Sequence, residues 1–193
     1  MSPGSTGQRA RARARAVFLD RDGVLNRALV HDGRPYPPAT LEAFEILPGV
    51  PEAVRHLHDA GFLTIVVTNQ PDVARGTQRR EVVEAMNDRL LAAMPIAAIL
   101  VCYEDGDDCP RRKPNPGLLL EAAEAHAIDL SASYMVGDRW RDVEAGRRAG
   151  CRTVFIDRGY DERRPDPPAD HVAADLTDAA DWILSDLEQR TSP

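Results

Sequence analysis

The 193-residue chain reads as one α/β domain, a doubly wound, Rossmann-like and mainly parallel sheet. Three observations predict it. Apolar, strand-like runs alternate along the chain with amphipathic helical stretches. The inner runs, such as "FLTIVVT" at 62–68, are continuous and rich in β-branched residues, as strands buried on both faces are. The composition, 43% hydrophobic and 28% charged, supplies one core, and the length leaves no room for a second full domain.

The elements follow in order. Residues 16–20 form the first strand. "GVPEAVRHLHDA" (49–60) is a helix closed by Gly61. The strand 62–68 comes next, then a helix over 78–93 with Val82, Met86, Leu90 and Met94 at near-helical spacing. "IAAILVCY" (96–103) is the third strand. A helix spans 116–127, "SYMVG" (133–137) is the fourth strand, and a helix over 139–149 ends at Gly150. "RTVFID" (152–157) is the fifth strand. The last helix covers 177–189, with Trp182 packing on the sheet. The Pro-rich stretches 34–38 and 163–168 read as surface loops.

The bulk numbers exclude several classes. No apolar run approaches the roughly 18–20 residues that span a bilayer, so no membrane role is expected. The opening "MSPGSTGQRARARARA" lacks an apolar core segment and is not a secretory signal. Its Arg-rich, acid-free make-up slightly resembles a transit peptide. The opening is expected to be a disordered basic tail over 1–15, ahead of one folded domain over 16–193. The net charge of −7 argues against nucleic acid as a partner. Three cysteines, Cys102, Cys109 and Cys151, are too few and odd in number for a disulfide framework, which points to a reducing cytoplasm. A monomer is expected.

In a doubly wound sheet, ligands bind outside the carboxyl ends of the strands, near the switch in strand order. Four strand ends carry reactive groups. Asp20 and Asp22 flank Arg21 after the first strand, where two like charges repel unless a cation joins them. Thr68, Asn69 and Gln70 end the second. Lys113 lies beyond the third, and Asp138 follows Gly137 at the fourth, with Asp142 four residues on and on the same helix face. Carboxylates at one sheet edge would hold Mg²⁺, a hard cation that takes a few carboxylates, waters and substrate phosphate. Of the 24 basic residues, 23 are arginine, and Lys113 is the exception. Either it is a surface remnant, or it stands where a compact point charge is needed and a planar fork would not fit. Alone, the Asp-x-Asp reads equally as a polar turn and Thr68-Asn69 as a helix cap. The four ends together favour a phosphate site. No GxxxxGK[ST] loop and no GxSxG elbow is present.

"FLDRDGVLN", "VVTNQPDVARG", "RRKPNPG" and "MVGDRWRDVEAG" resemble the four motifs of the haloacid dehalogenase (HAD) superfamily of phosphatases. The likeness covers residues 16–190. "TNQ…ARG" and "RKPxPG" resemble the small branch that holds D-glycero-D-manno-heptose 1,7-bisphosphate phosphatases and histidinol-phosphatases. The resemblance implies a HAD-like fold. It makes Asp20 the nucleophile and Asp22 the general acid and base. It implies Mg²⁺ held by Asp20, the Asp22 backbone carbonyl and Asp138, with Asp142 behind them. Thr68 and Lys113 would bind the transferring phosphoryl group. Asn69, Gln70, Arg75 and Arg112 would contact the rest of the substrate. The 28 residues of 21–48 leave no room for a large cap domain.

Relatives often carry a zinc-stapled loop, Cys-x-His followed by Cys-x-Cys-Arg-Lys-Pro. Here "CYEDGDDCPRRKP" has Glu104 in place of the His and Arg111 in place of the last Cys. Structural zinc takes four N or S ligands, so zinc is not expected. An ion pair of Arg111 with Glu104, Asp107 or Asp108 is expected to hold the loop instead. The expected activity is Mg²⁺-dependent phosphomonoester hydrolysis through an aspartyl-phosphate, acting on a phosphorylated sugar and most directly on a heptose 1,7-bisphosphate at C7. Arg34, Arg75, Arg111 and Arg112 would grip a second phosphate. Histidinol-phosphatase is the alternative within the class. A phosphoryl-accepting signalling module is the alternative outside it, disfavoured because its accepting Asp would sit on a middle strand.

Overall fold

The computed structural model describes residues 13–191. Eight strands and five α-helices alternate among them: β1 (Arg15–Leu19), β2 (Leu29–His31), β3 (Arg34–Tyr36), α1 (Val50–Asp59), β4 (Phe62–Asn69), α2 (Arg80–Ala93), β5 (Ala98–Cys102), α3 (Gly117–His126), β6 (Tyr134–Gly137), α4 (Trp140–Ala149), β7 (Arg152–Ile156), β8 (His171–Ala173) and α5 (Leu176–Thr191). Six strands form one parallel sheet in the order β5-β4-β1-β6-β7-β8. β1 is therefore central. The chain runs outward on one side through β4 and β5, then returns past β1 to β6. The switch in strand order falls beside Asp20 and opens the crevice that the alternating pattern anticipates.

β1 shows how the layers form. Its residues alternate between two cores, with Val17 and Leu19 on one face and Ala16 and Phe18 on the other. The first core packs Val54 and Leu57 of α1, Met86 and Leu90 of α2 and Ile183 of α5 onto the sheet. The second packs Leu118, Leu119 and Ala122 of α3 and Ala145 of α4 against it. With both faces covered, the strands carry continuous apolar runs. Trp182 stacks on His171 of β8, with ring centroids 4.7 Å apart, and meets Tyr134 edge-on.

Several expectations need correcting. Most of the predicted tail lies outside the described residues, but Ala14 already bridges to Ile128 and Arg15 starts β1, so the domain begins before residue 16. The stretch 34–38 is not all loop, because Arg34–Tyr36 pairs with Leu29–His31 as an antiparallel hairpin. The signal was there: Asp32-Gly33, both with positive φ, is a favoured two-residue hairpin turn. β8 was missed because three residues carry too little periodicity to read. Asp138 and Asp142 do not share a helix face. Asp138 precedes α4, and Asp142 at its third position turns back to accept the Arg139 backbone N–H at 3.0 Å.

Candidate active site

The strand ends converge. Asp20, Asp22, Thr68, Asn69, Lys113 and Asp142 line one open cleft of about 580 Å³. Asp20, Asp138 and Asp142 bring carboxylate oxygens within 4.8 Å of one another, and all three residues are buried. Two glycines permit this crowding. Gly23 has φ +86°, and a Cβ there would stand 1.8 Å from Asp138 Oδ2. At Gly137 a Cβ would stand 2.1 Å from that of Asp142.

Lys113 is no surface remnant, being only 2% exposed. Its ammonium donates to Asp20 Oδ1 at 2.7 Å and to the Val67 carbonyl at 2.7 Å, and it lies 2.6 Å from Asp142 Oδ1. Three acceptors use all three N–H groups. What Lys113 offers the cleft is thus its charge. Burial alone would lower its pKa, but Asp142 and Asp20 outweigh it and raise it, so the ammonium stays charged.

The acids respond in the opposite sense. Burial raises the Asp20 carboxyl to about 6, with Lys113 pulling it down and Asp142 and Asp22 pushing it up. Burial, then Asp20 and Asp142, push Asp138 well above the usual carboxylate range. Tyr160 donates to Asp138 Oδ2 at 2.9 Å, while Oδ1 is buried without a partner among the described residues. Three converging buried carboxylates, two of them on one lysine and the third with an orphaned oxygen, are an arrangement that fits a divalent cation.

Asp22 is held differently. Arg21 Nη2 donates to both of its oxygens, at 3.1 and 3.0 Å, Asn26 Nδ2 to Oδ1 at 2.9 Å, and Gln70 Nε2 to Oδ2 at 2.7 Å. Arg21 is fully buried and also donates to Asn87 of α2 at 3.2 Å. The Asp22 carboxylate therefore stands outside the group of Asp20, Asp138 and Asp142.

The other predicted residues divide. Thr68 is at the cleft floor. Asn69 also lines the cleft, but its amide is engaged with the Lys113 backbone, accepting from N–H at 3.1 Å and donating to C=O at 3.0 Å. Gln70 is 1% exposed and is not among the residues lining the cleft. Arg75 and Arg112 line it, both tied to Asp105, at 2.5 and 2.8 Å. Arg111 turns away to Glu121 at 3.0 Å, against the expected pairing with Glu104 or its neighbours. Sequence reasoning missed Arg21, Tyr160, Arg139, Arg141 and Arg163. Arg139 and Arg141 follow β6, and Tyr160 and Arg163 follow β7, whose end carries no recognisable motif.

In the 102–113 loop, Glu104 joins the two thiols. Its Oε2 lies 2.7 Å from Cys109 Sγ and 3.4 Å from Cys102 Sγ, and the sulfurs are 3.8 Å apart. Two thiols and one carboxylate converge, but among the described residues no fourth donor joins them. This falls short of the four N or S ligands of structural zinc.

The fold and the cleft define a HAD-type phosphatase. The HAD-hydrolase-like family model matches residues 110–179. D-glycero-D-manno-heptose-1,7-bisphosphate 7-phosphatase of Thermosynechococcus vestitus is 36% identical over 198 residues, covering 91% of this chain and 98% of that protein. D-glycero-beta-D-manno-heptose-1,7-bisphosphate 7-phosphatase of Salmonella typhi is 34% identical, covering 89% of this chain and 90% of that one. The D,D-heptose 1,7-bisphosphate phosphatase of B. bronchiseptica, solved with magnesium and phosphate, superposes with a TM-score of 0.72 at 29% identity, covering 89% and 99% of the two chains. The chain belongs to the HAD-like phosphatases.

Proposed function

We propose that this phosphatase hydrolyses a phosphorylated sugar through an aspartyl-phosphate on Asp20, removing the C7 phosphate of D-glycero-D-manno-heptose 1,7-bisphosphate. The observation that carries this reading is the meeting of Asp20, Asp22, Thr68 and Lys113 around one cleft, with Asp138 from a fourth strand end beside Asp20. Asp20 would attack phosphorus while the bond to the sugar oxygen breaks and Asp22 gives that oxygen a proton. Asp22 would then take a proton from water as it attacks the aspartyl-phosphate, freeing phosphate and Asp20. Lys113 neutralises Asp20 before attack and the phosphoryl charge after it. Mg²⁺ would be held by Asp20, Asp138 and the Asp22 carbonyl, and when bound it supplies charge neutralisation for the phosphoryl oxygens. No helix among the described residues is long and apolar enough to cross a membrane. The three free thiols support action in the cytoplasm.

The second phosphate would meet Arg34 and Arg163 rather than Arg75, Arg111 and Arg112. Among the described residues neither has a carboxylate partner, and both line the cleft. They sit on one rim, because the Asp161 backbone N–H donates to the Gly33 carbonyl at 2.8 Å. Arg163 lies 3.7 Å above the Trp140 ring, which fixes it without consuming its charge. A kcat/KM screen over sugar phosphates, histidinol phosphate and nucleotides tests the reading. The heptose bisphosphate should lead, and Arg34→Ala with Arg163→Ala should lower its kcat/KM at least about tenfold while sparing p-nitrophenyl phosphate. Histidinol phosphate at the head of the screen would refute the substrate assignment.

A further inference from the structure

Gln70 was expected to touch substrate and instead lies beneath the cleft floor, which leaves its purpose to be explained. Its side-chain nitrogen donates to Asp22 Oδ2 at 2.7 Å and to Thr68 Oγ1 at 3.0 Å. Asp22 Oδ2 also accepts from Arg21 Nη2 at 3.0 Å, so it faces Gln70 as an acceptor and the amide nitrogen is the atom turned toward it. The amide group has two N–H donors, and these two contacts use both. Thr68 Oγ1 is consequently an acceptor toward Gln70. The threonine hydroxyl has one hydrogen, and among the described residues no protein acceptor takes it. Thr68 lines the cleft, so that hydrogen is directed to where a phosphoryl oxygen binds. The Gln70 backbone is pinned as well, its N–H donating to the Cys102 carbonyl at 2.7 Å.

We propose that Gln70 is a positioning residue that sets two groups of opposite duty. It orients the Asp22 carboxylate for proton transfer, and by occupying a lone pair of Thr68 it turns the threonine O–H outward as a phosphate donor. One buried amide thereby couples the proton-transfer arm to the phosphate-binding arm. The inference rests on the proposed reading of Thr68 as a phosphoryl ligand. No other side chain donates to Thr68 Oγ1 among the described residues, so Gln70 alone sets the sense of that hydroxyl. A glutamate in its place would reverse it, since a carboxylate at 3 Å draws the Thr68 hydrogen inward and repels Asp22.

The test is a double-mutant cycle on the full chain with Mg²⁺ present, using Gln70→Glu, Thr68→Val and the double variant. Two quantities are read: the inhibition constant of inorganic phosphate, and kcat/KM for p-nitrophenyl phosphate and for an alkyl phosphate. Neither depends on which sugar is the natural substrate. Gln70→Glu and Thr68→Val should each weaken phosphate inhibition at least about fivefold, the double variant being no worse than the weaker single one. Gln70→Glu should also slow the alkyl phosphate more than the nitrophenyl ester, because the poorer leaving group needs the proton from Asp22. Gln70→Met, neutral and of similar length, frees the Thr68 hydroxyl without reversing it and should weaken phosphate inhibition less than Gln70→Glu. If Gln70→Glu does not fold, the cycle is run with Gln70→Met, and coupling of the same sign is expected. Losses that simply multiply in the double variant, or equal losses from Glu and Met, would make Gln70 a packing residue and overturn the proposal. If Thr68→Val alone leaves phosphate inhibition unchanged, the reading of Thr68 has failed and the proposal falls with it.

Discussion

Lys113 Nζ lies 2.7 Å from Asp20 Oδ1, across 93 positions of sequence. The same nitrogen meets Val67 and Asp142, and this triad of acceptors explains why a lysine persists in a chain of arginines. A tetrahedral ammonium can serve three acceptors around one point, whereas a guanidinium spreads its donors over a planar fork.

Lys113→Arg retains the charge and should still fail. The wider group would displace Asp20 from the line of attack, and misplacement by about 1 Å can cost on the order of 100-fold. The expected loss in kcat/KM is at least about 30-fold, or about 2 kcal/mol of transition-state stabilisation. It is measured on protein whose melting curve shows it folded at the assay temperature. Activity within about threefold of the parent would remove Lys113 from the reaction.

Asp20→Asn should abolish turnover, because it removes the nucleophile and the partner of Lys113 together. Asp22→Asn should instead be graded by leaving group, with p-nitrophenyl phosphate suffering least. Circular dichroism establishes that both variants fold, and phosphate release is then compared. A folded Asp20→Asn protein with near-normal release would sink the covalent mechanism.

Metal should stabilise the protein in a pH-dependent way. Burial raises the folded-state pKa of Asp20 to about 6 and lifts that of Asp138 as well, so metal-free folded protein holds protons that the unfolded chain has released. Their contribution to stability is present below the unfolded value of 3.8 and is lost as pH rises through about 6. Mg²⁺ competes with those protons. Its gain in Tm should therefore be larger at about pH 7.5 than at about pH 5, reaching some 5–10 °C at about 100 times Kd. An equal gain at both pH values would contradict the assignment of the site to Asp20 and Asp138.

Gly23→Ala should be nearly inactive with weakened Mg²⁺ stabilisation, since a Cβ would meet Asp138 Oδ2 at 1.8 Å and the φ of +86° is itself unfavourable by roughly 1–2 kcal/mol. Normal Mg²⁺ titration of this variant by thermal shift would show that Asp138 is not a ligand.

Zinc should be present at well under one atom per chain by elemental analysis, because Cys102, Glu104 and Cys109 supply only three donors. A stoichiometric value after dialysis would mean that the loop completes its site with a donor outside this group.

The order of strands and helices, and the convergence of the strand ends that carry Asp20, Thr68, Lys113 and Asp138, were legible in the sequence. Both follow from local rules: burial on two faces writes a continuous apolar strand, and a doubly wound sheet delivers its strand ends to one edge. The tertiary structure alone decided the partners. Gln70 and Asn69 are adjacent polar residues with the same amide chemistry, yet one is buried beneath Asp22 and the other fastens the Lys113 backbone. Arg111 and Arg112 are adjacent arginines, and one faces Glu121 while the other faces the cleft. Successive residues in a loop point in unrelated directions, with no period to read, and the partners of Asn69 and Gln70 lie 44 and 48 residues away. Which amide donates to which acid is settled only when the loops from β1, β4 and β5 pack together and every buried polar atom must find a partner there.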